Sequence, residues 1–310
     1  MEVYKEPTAR VVIGATEPEG GSRGYVVEAG GAETLPFYTF EGLNPRPVLA
    51  LEVYDCVEPL PSFLLESYRD VVSNPVEWAR LVDRLEPDLV NLNVRSISPT
   101  VLDRSPRDAL KTVEAVLQAT RRPLMVTGIM DPIHRDDTAR NMEFLRLVAE
   151  TFKGERLLIG PVTPEAFETV AEAALANGHN VLAKTNMDVN QAIRLNELLV
   201  EKGLTLERIV VDVTTGALGY GVEYTLSTME RFRIRGLKGD RMARSPLIFF
   251  ASENLFIREL ENGEPGMASI YEASSAVAGL MAGADIVSML HPESLEKVRR
   301  FIDEFPWRGG

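Results

Sequence analysis

The chain has 310 residues, 45% hydrophobic and 25% charged, a composition typical of a soluble globular protein. Its formal net charge of -13 argues against nucleic acid or an anionic membrane as the main partner, because both would repel an acidic protein. No apolar run is long enough to span a bilayer, so we expect a cytoplasmic protein that binds no membrane. Cys56 is the one cysteine, too few for an iron-sulfur cluster or a thiolate zinc site in this chain.

Two short β-prone runs begin the chain, ARVVIGAT and GYVVEAG, separated by the turn-rich EPEGGSR. They predict a β-hairpin that plugs the bottom of a barrel. Eight apolar runs then alternate with amphipathic segments, at 49–55, 89–94, 123–129, 157–162, 180–185, 209–214, 246–252 and 284–290. This alternation predicts an α/β fold, a (β/α)8 TIM barrel with an N-terminal β-hairpin. We expect one domain over 1–310, with the hairpin extension at 1–45 and the barrel at 46–310.

Helix ends are marked by proline and glycine. Thr163 and His291 each precede a proline, which predicts an N-cap followed by the first helical residue. Gly178, Gly203 and Gly283 each lie a few residues before a strand, where a left-handed residue ends a helix.

A glycine-rich segment follows the sixth strand and is the most informative part of the sequence. The strand ends near Asp212, and Gly216, Gly219 and Gly221 come next, where backbone can approach a ligand closely. Their GxxGxG spacing differs from the nucleotide-binding GxGxxG, and no P-loop lysine follows. The alternative is a tight turn into the next helix. A carboxylate within an apolar strand is likewise either hydrogen-bonded structure or a ligand contact.

Uncharged polar side chains end three further strands. They are Asn93, the Thr185 and Asn186 pair, and Ser252 with Asn254. Together they predict a polar, mostly neutral cup at the carboxyl end of the barrel, where sites of this fold form. Taken one at a time, each is also explained as a helix cap or a loop hydrogen bond.

The remaining titratable residues form no recognisable catalytic or metal motif. His134, His179 and His291 have no metal-ligand spacing, and only His291 is placed to face the cup, with a capping role as the alternative. Glu52 and Asp55 lie on the first strand, but nothing in the sequence pairs them as acid and base. We therefore predict no catalytic residue and no metal ligand.

A basic run at 231–244 stands out in so acidic a chain. Such a run is usually a solvated helix face, and a docking patch for an acidic partner is the alternative.

Several segments resemble one known family, the small (delta) subunit of the corrinoid iron-sulfur protein of the acetyl-CoA decarbonylase/synthase complex. They are VVIGATEPEGGSR, LPFYTFEG, NPRPVLALEV and above all VDVTTGALGYGVEYTLSTMERFRIRGLKGD. The final HPESLEKVRRFID also fits, so the similarity runs nearly end to end.

The resemblance implies a barrel related to pterin-binding methyltransferases. It implies a heterodimer with a large (gamma) subunit that carries the iron-sulfur cluster and the cobamide-binding domain. The cobamide, a corrinoid, would lie between the two subunits. Acetyl-CoA synthase and a pterin-dependent methyltransferase would be transient partners in the reductive acetyl-CoA pathway. The residues that we expect to face the cobamide are Asn93, Thr185, Asn186, Asp212, Thr214, Thr215, Gly216, Gly219, Tyr220, Gly221, Ser252 and Asn254.

Two functions follow from the resemblance. The first is a non-catalytic subunit that covers the cobamide and supports methyl transfer between a methyltetrahydropterin and acetyl-CoA synthase. The alternative is a self-sufficient pterin-dependent methyltransferase acting on a corrinoid, with Asn93 and Asp212 holding the ring. The third strand ends in VTGIMD and the fourth in LLIGPVTPE, which offer few polar groups for a pterin and favour the first function.

Overall fold

A computed structural model describes residue 4, residues 6–36, 41–58, 60–130, 135–261 and 266–305, and residue 307. None of the helices within these ranges is both long enough and apolar enough to cross a bilayer.

Eight parallel strands form a nearly closed barrel surrounded by helices. The strands are β3 Val48–Tyr54, β4 Leu89–Asn93, β5 Leu124–Thr127, β6 Leu158–Val162, β7 Asn180–Lys184, β8 Ile209–Asp212, β9 Ile248–Phe250 and β10 Ile286–Met289. Pairing runs in the order β8-β7-β6-β5-β4-β3-β10-β9. Only the seam between β8 and β9 lacks a regular ladder, and there a parallel bridge joins Val211 to Leu247. The predicted TIM barrel is confirmed.

The N-terminal hairpin closes the bottom of the barrel. It consists of β1 Arg10–Ile13 and β2 Val27–Gly30, paired antiparallel. Val11 and Ile13 are fully buried in one cluster with Ala50 and Leu158 of the barrel interior. Asn180 Nδ2 donates to Val12 O at 2.7 Å. The predicted hairpin plug is therefore confirmed.

Amphipathic helices cover the outside of the barrel. They are α1 Ser62–Ser67, α2 Pro75–Arg84, α3 Pro106–Ala119, α4 Arg135–Thr151, α5 Phe167–Asn177, α6 Val189–Glu201, α7 Val222–Leu237, α8 Arg258–Glu261, α9 Met267–Met281 and α10 Pro292–Glu304. Helix α2 illustrates how these helices form. Asn74 caps it by accepting from Val76 N, and Trp78 and Val82, one turn apart, are fully buried against the sheet.

The predicted helix ends are mostly correct. His291 caps α10, and Gly178, Gly203 and Gly283 all have positive φ. The prediction at Thr163 is wrong, because α5 begins only at Phe167. Residues 164–166 form a turn first, closed by Ala166 N donating to Thr163 O at 3.0 Å.

Candidate functional site

The barrel interior has an apolar lower half and a polar upper half. The lower half consists of alternating inward residues such as Val48, Leu89 and Ile286, which pack on the hairpin. Two residues further along the same strands, the inward positions are Ala50, Asn91 and Ser288. Inward polar side chains thus concentrate at the carboxyl ends of the strands, where TIM barrels build their sites.

Glu52 lies at the centre of the polar half and is fully buried. Its Oε1 accepts from Ser252 Oγ at 2.7 Å and from Ser288 Oγ at 2.8 Å. Its Oε2 accepts from Asn93 Nδ2 at 2.9 Å and from the Tyr54 hydroxyl at 3.1 Å. Burial raises the pKa of this carboxyl, and the hydroxyl donors oppose that rise. Four donors, from the ends of β3, β4, β9 and β10, fix the position of one carboxylate.

The network continues from Glu52 to the third strand of the barrel. Thr127 Oγ1 lies 2.8 Å from Asn93 Oδ1 and 3.1 Å from Asn91 Oδ1. The end of the third strand therefore contributes a polar group, contrary to the expectation from VTGIMD, because only alternate residues face inward. In the fourth barrel strand, β6, Gly160 lies against Leu182 with no room for a side chain. The interior of the barrel therefore has no polar side chain at this position of β6.

An ion pair joins the carboxyl ends of β7 and β8. Lys184 Nζ lies 3.3 Å from Asp212 Oδ2, and both side chains are almost fully buried. Asp212 Oδ1 also accepts from Thr214 N at 2.7 Å. The neighbouring Thr185 hydroxyl is buried and has no hydrogen-bond partner among the residues that the structure describes.

The glycine loop, residues 214–221, begins with a strained residue. Thr214 has φ of +64°, a conformation that a β-branched residue rarely adopts. It is held there because its hydroxyl donates to Thr185 O at 2.7 Å and its carbonyl accepts from Thr225 Oγ1 at 2.9 Å. Thr225 Oγ1 in turn accepts from Gly216 N at 2.8 Å. Strain stabilised by several surrounding contacts is common at functional sites.

Two further predicted residues anchor the loop from inside. Thr215 Oγ1 accepts from Phe250 N at 3.0 Å. Asn254 is fully buried; its Oδ1 accepts from Leu218 N at 2.7 Å and its Nδ2 donates to Ser275 Oγ at 2.8 Å. These polar groups thus connect the glycine loop to β9 and α9.

The tip of the loop is open to solvent. Gly219 has φ of +78° and nothing within 4 Å of the position a Cβ would take. Tyr220 is 55% exposed, and its hydroxyl donates to Glu259 at 3.2 Å. Gly221 caps α7 with a positive φ, and Asn186 on the neighbouring loop is exposed. These residues form an exposed rim around the buried network.

A second buried carboxyl, Glu272 of α9, supports the end of the last strand. It accepts from Leu290 N at 2.6 Å and from His291 N at 2.9 Å. Burial raises the pKa of Glu272 to about 8.

The two histidines that the structure describes, His179 and His291, each accept a hydrogen bond from a backbone N–H group. His291 Nδ1 accepts from Glu293 N at 3.2 Å, which is the capping alternative for this residue. His179 Nδ1 accepts from Leu157 N at 3.1 Å, and burial lowers its pKa to about 4. His134 lies outside the described residues. Within the described ranges no group of three or more His, Cys, Asp and Glu is placed to hold a metal ion.

The basic run at 231–244 is partly internal structure. Arg233 is buried and pairs with Asp285 at the bottom of the barrel. Arg235 pairs with Asp240 at 2.8 Å on the surface. The run is therefore not a continuous exposed stripe.

Sequence reasoning missed the centre of the network. Nothing in the sequence pairs Glu52 with a partner, and neither Lys184 nor Ser288 lies in a motif that indicates a site. The available signal was alternation: Glu52 lies two residues beyond Ala50, and Ser288 two beyond Ile286, so each continues an inward-facing row.

Comparisons with known proteins agree with this architecture. Residues 10–292 match the family model of the CO dehydrogenase/acetyl-CoA synthase delta subunit. The acetyl-CoA decarbonylase/synthase complex subunit delta of Archaeoglobus fulgidus is 36% identical over 307 residues, covering 94% of this chain and 67% of the relative. That of Methanocaldococcus jannaschii is 34% identical over 309 residues, covering 96% and 74%.

Solved structures of dihydropteroate synthase share the fold. The enzyme of Stenotrophomonas maltophilia aligns with a TM-score of 0.59 at 14% identity, over 84% of this chain and 94% of that one. An enzyme structure from Thermus thermophilus gives 0.57 at 17% identity, over 84% and 95%. At identities this low, the alignments show a shared barrel fold and nothing more. With the family model and the curated relatives each matching most of its length, the chain belongs to the delta subunit family of CO dehydrogenase/acetyl-CoA synthase.

Proposed function

We propose that this chain is a cytoplasmic, non-catalytic subunit that forms a heterodimer with the large (gamma) subunit of the corrinoid iron-sulfur protein. In this role it covers the cobamide carried by the large subunit and supports methyl transfer between a methyltetrahydropterin and acetyl-CoA synthase. Acetyl-CoA synthase and the pterin-dependent methyltransferase are then transient partners. Membership of the delta subunit family is the starting point for the proposal.

The observation that carries the proposal concerns the mouth of the barrel, at the carboxyl ends of its strands. The polar side chains there hydrogen-bond or form ion pairs with one another. Asn93 uses its amide nitrogen on Glu52 and its oxygen on Thr127. Asp212 is held by Lys184 and by Thr214 N. A pterin ring would need such groups as its own hydrogen-bond partners, and displacing their present partners leaves buried polar atoms unpaired at a cost of about 1–3 kcal/mol each. The arrangement therefore favours the non-catalytic role.

The exposed rim fits one side of a large flat cofactor. Around Gly219 there is open space, so a macrocycle can approach the backbone. Thr214 and Thr215 use their hydroxyls within the chain, which leaves Tyr220 as the exposed hydroxyl of the three. The cobamide supplies the cobalt that carries the methyl group. The residues of this chain would approach the ring, orient it and keep water from one face.

Calorimetry on the isolated chain separates this function from the pterin-dependent alternative. We expect no saturable heat when a methyltetrahydropterin is titrated into the chain at micromolar concentration. Saturable binding that Asn93→Ala and Asp212→Asn both weaken would favour the self-sufficient methyltransferase. Gln118→Ala, at an exposed position near the C-terminal end of α3 and so at the opposite end of the barrel, is the matched control.

A further inference from the structure

The glycine loop is a tight turn that is closed on itself. Ala217 O accepts from Tyr220 N at 2.8 Å. At Gly216 a Cβ would lie 2.7 Å from the carbonyl carbon of Gly221, so the two ends of the loop are in direct contact. Because the turn is closed in this way, a change at its base moves the exposed tip at Gly219 with it.

The base of the loop is Thr214, whose backbone has a φ of +64°. A β-branched residue rarely adopts this conformation, so neighbouring groups must hold it there. On one side, Asp212 Oδ1 accepts from Thr214 N at 2.7 Å. On the other side, Thr225 Oγ1 donates to Thr214 O at 2.9 Å and accepts from Gly216 N at 2.8 Å. The threonine's own hydroxyl adds a contact to Thr185 O. Two side chains thus hold the peptide groups on both sides of the strained residue.

These two side chains are too deeply buried to touch a large ligand. Asp212 is 1% exposed, and Thr225, on the first turn of α7, is fully buried. Asp212 lies beside Lys184, whose Nζ is 3.3 Å from its Oδ2. Any effect that Asp212 or Thr225 has on a macrocycle at the mouth must therefore pass through the loop.

We propose that Asp212 and Thr225 are positioning residues, which hold the glycine loop in the orientation that presents its tip to the cobamide. This inference rests on the proposed function, which supplies the ligand, and it changes the expected role of Asp212 from a cobamide contact to a support of the loop. Lys184 contributes to that support, because its ammonium group compensates the charge of a carboxylate buried in the barrel.

Two other contacts keep the loop attached when a positioning residue is replaced. Thr215 Oγ1 accepts from Phe250 N at 3.0 Å, and Asn254 Oδ1 accepts from Leu218 N at 2.7 Å. Neither contact involves the positioning residues. We therefore expect the base of the loop to relax and its tip to shift in the variants below, while the barrel stays folded.

Two double variants separate the support of the loop from the charge of Asp212. Lys184→Met/Asp212→Asn removes both charges but keeps a side-chain oxygen that can accept from Thr214 N. Lys184→Met/Asp212→Ala removes both charges and the acceptor as well. A third variant, Thr225→Val, removes the hydroxyl of the second positioning residue and nearly keeps the shape of its side chain.

Asp240→Ala is the matched control, at the opposite end of the barrel between α7 and β9. Asp240 makes the same kinds of contact as Asp212. Its Oδ1 accepts from Met242 N at 3.2 Å, two residues further along the chain, and its Oδ2 lies 2.8 Å from Arg235. The control therefore loses an equivalent hydrogen bond and ion pair without changing the base of the loop.

Hydrogen exchange of the full chain, followed by mass spectrometry, tests whether these residues hold the loop. We expect the amides of residues 214–221 to exchange about tenfold faster in Lys184→Met/Asp212→Ala and in Thr225→Val, because each has lost a hydrogen bond at the base. Lys184→Met/Asp212→Asn and Asp240→Ala should match the wild type in this segment. Unchanged exchange in the barrel strands shows that each variant is folded. Wild-type exchange of the loop in the first two variants would overturn the proposal.

Methyl transfer in the assembled heterodimer tests whether the position of the loop matters. Lys184→Met/Asp212→Ala and Thr225→Val should transfer methyl about tenfold more slowly than the wild type. Lys184→Met/Asp212→Asn should be several times faster than the alanine variant, and Asp240→Ala should match the wild type. Equal slowing of the two double variants would mean that the charge of Asp212 acts on the ligand itself, which contradicts a positioning role.

The two readouts separate this inference from the proposed function. If the loop exchanges faster in the variants but methyl transfer stays normal, the positioning role is wrong and the proposed function stands. If the wild type transfers no methyl together with the large subunit, the proposed function fails, and the exchange rates still decide whether Asp212 and Thr225 hold the loop.

Discussion

Glu52 and Glu272 are both fully buried carboxyls, but different groups hold them. Glu52 accepts from four side chains of the barrel mouth, whereas Glu272 accepts from two backbone N–H groups at the end of β10. Burial raises the pKa of both. Side chains can rearrange when a ligand or partner arrives, but a backbone contact is tied to the fold, so Glu272 is the better probe of stability.

Glu272 predicts a pH dependence of stability. Burial raises its pKa to about 8 in the folded chain, above its ordinary value of 4.5, so between these pH values the folded state holds a proton that the unfolded state has lost. Its contribution is fully present below about pH 4.5 and is lost as the pH rises through 8, at up to about 1.4 kcal/mol per pH unit. Glu272→Gln cannot lose that proton.

Thermal unfolding of both proteins between pH 6 and pH 9 measures this effect. We expect the stability of the wild type relative to Glu272→Gln to fall as the pH rises to 8 and then to level off. A difference that is constant, or that grows with pH, would mean that Glu272 is already ionised in the folded chain at pH 6.

At the scale of elements, the strands and the hairpin were predictable because their apolar runs and turns are local. The mouth was only partly predictable. Glu52 and Ser252 are 200 positions apart, and Glu52 and Ser288 are 236 apart, so their contact depends on which face of each strand points inward. The ends of the strands indicate Asn93, Asp212, Ser252 and Asn254 as site residues, but residue spacing does not show which groups they bind inside the barrel.

The hairpin is predicted to be part of the barrel's folding unit. We propose a single domain because Val11 and Ile13 pack in the same cluster as the lower barrel interior. Ile13→Ala should lower the stability by about 2–5 kcal/mol, the usual cost of such a truncation in a core. It should do so in one cooperative transition observed by calorimetry. Arg10→Ala, which removes only an exposed ion pair on the same hairpin, should change stability by less than about 0.5 kcal/mol.

A separate low-temperature transition in Ile13→Ala would contradict the single domain. It would show that the hairpin unfolds while the barrel stays intact.

In the molecule as a whole, the buried polar network and the open glycine loop lie at the same end of the barrel, beyond the carboxyl ends of the strands. The polar groups of the mouth bind one another, and the tip of the loop has open space around Gly219. We infer from this combination that the chain supplies one wall of a site that it shares with its partner.

The most direct test of whether the glycine loop faces the cobamide is the rate of methyl transfer to the cobamide of the assembled heterodimer, measured by the change in corrinoid absorbance. Gly219→Asn adds a side chain at the loop tip and tolerates positive φ, as does Gly178→Asn at the opposite end of the barrel, where the space is equally open. We predict that Gly219→Asn slows transfer about tenfold, roughly 1.4 kcal/mol in the barrier. Gly178→Asn should match the wild type, and all three proteins should melt at the same temperature. Normal transfer by a folded, heterodimeric Gly219→Asn would contradict a cobamide held against this loop.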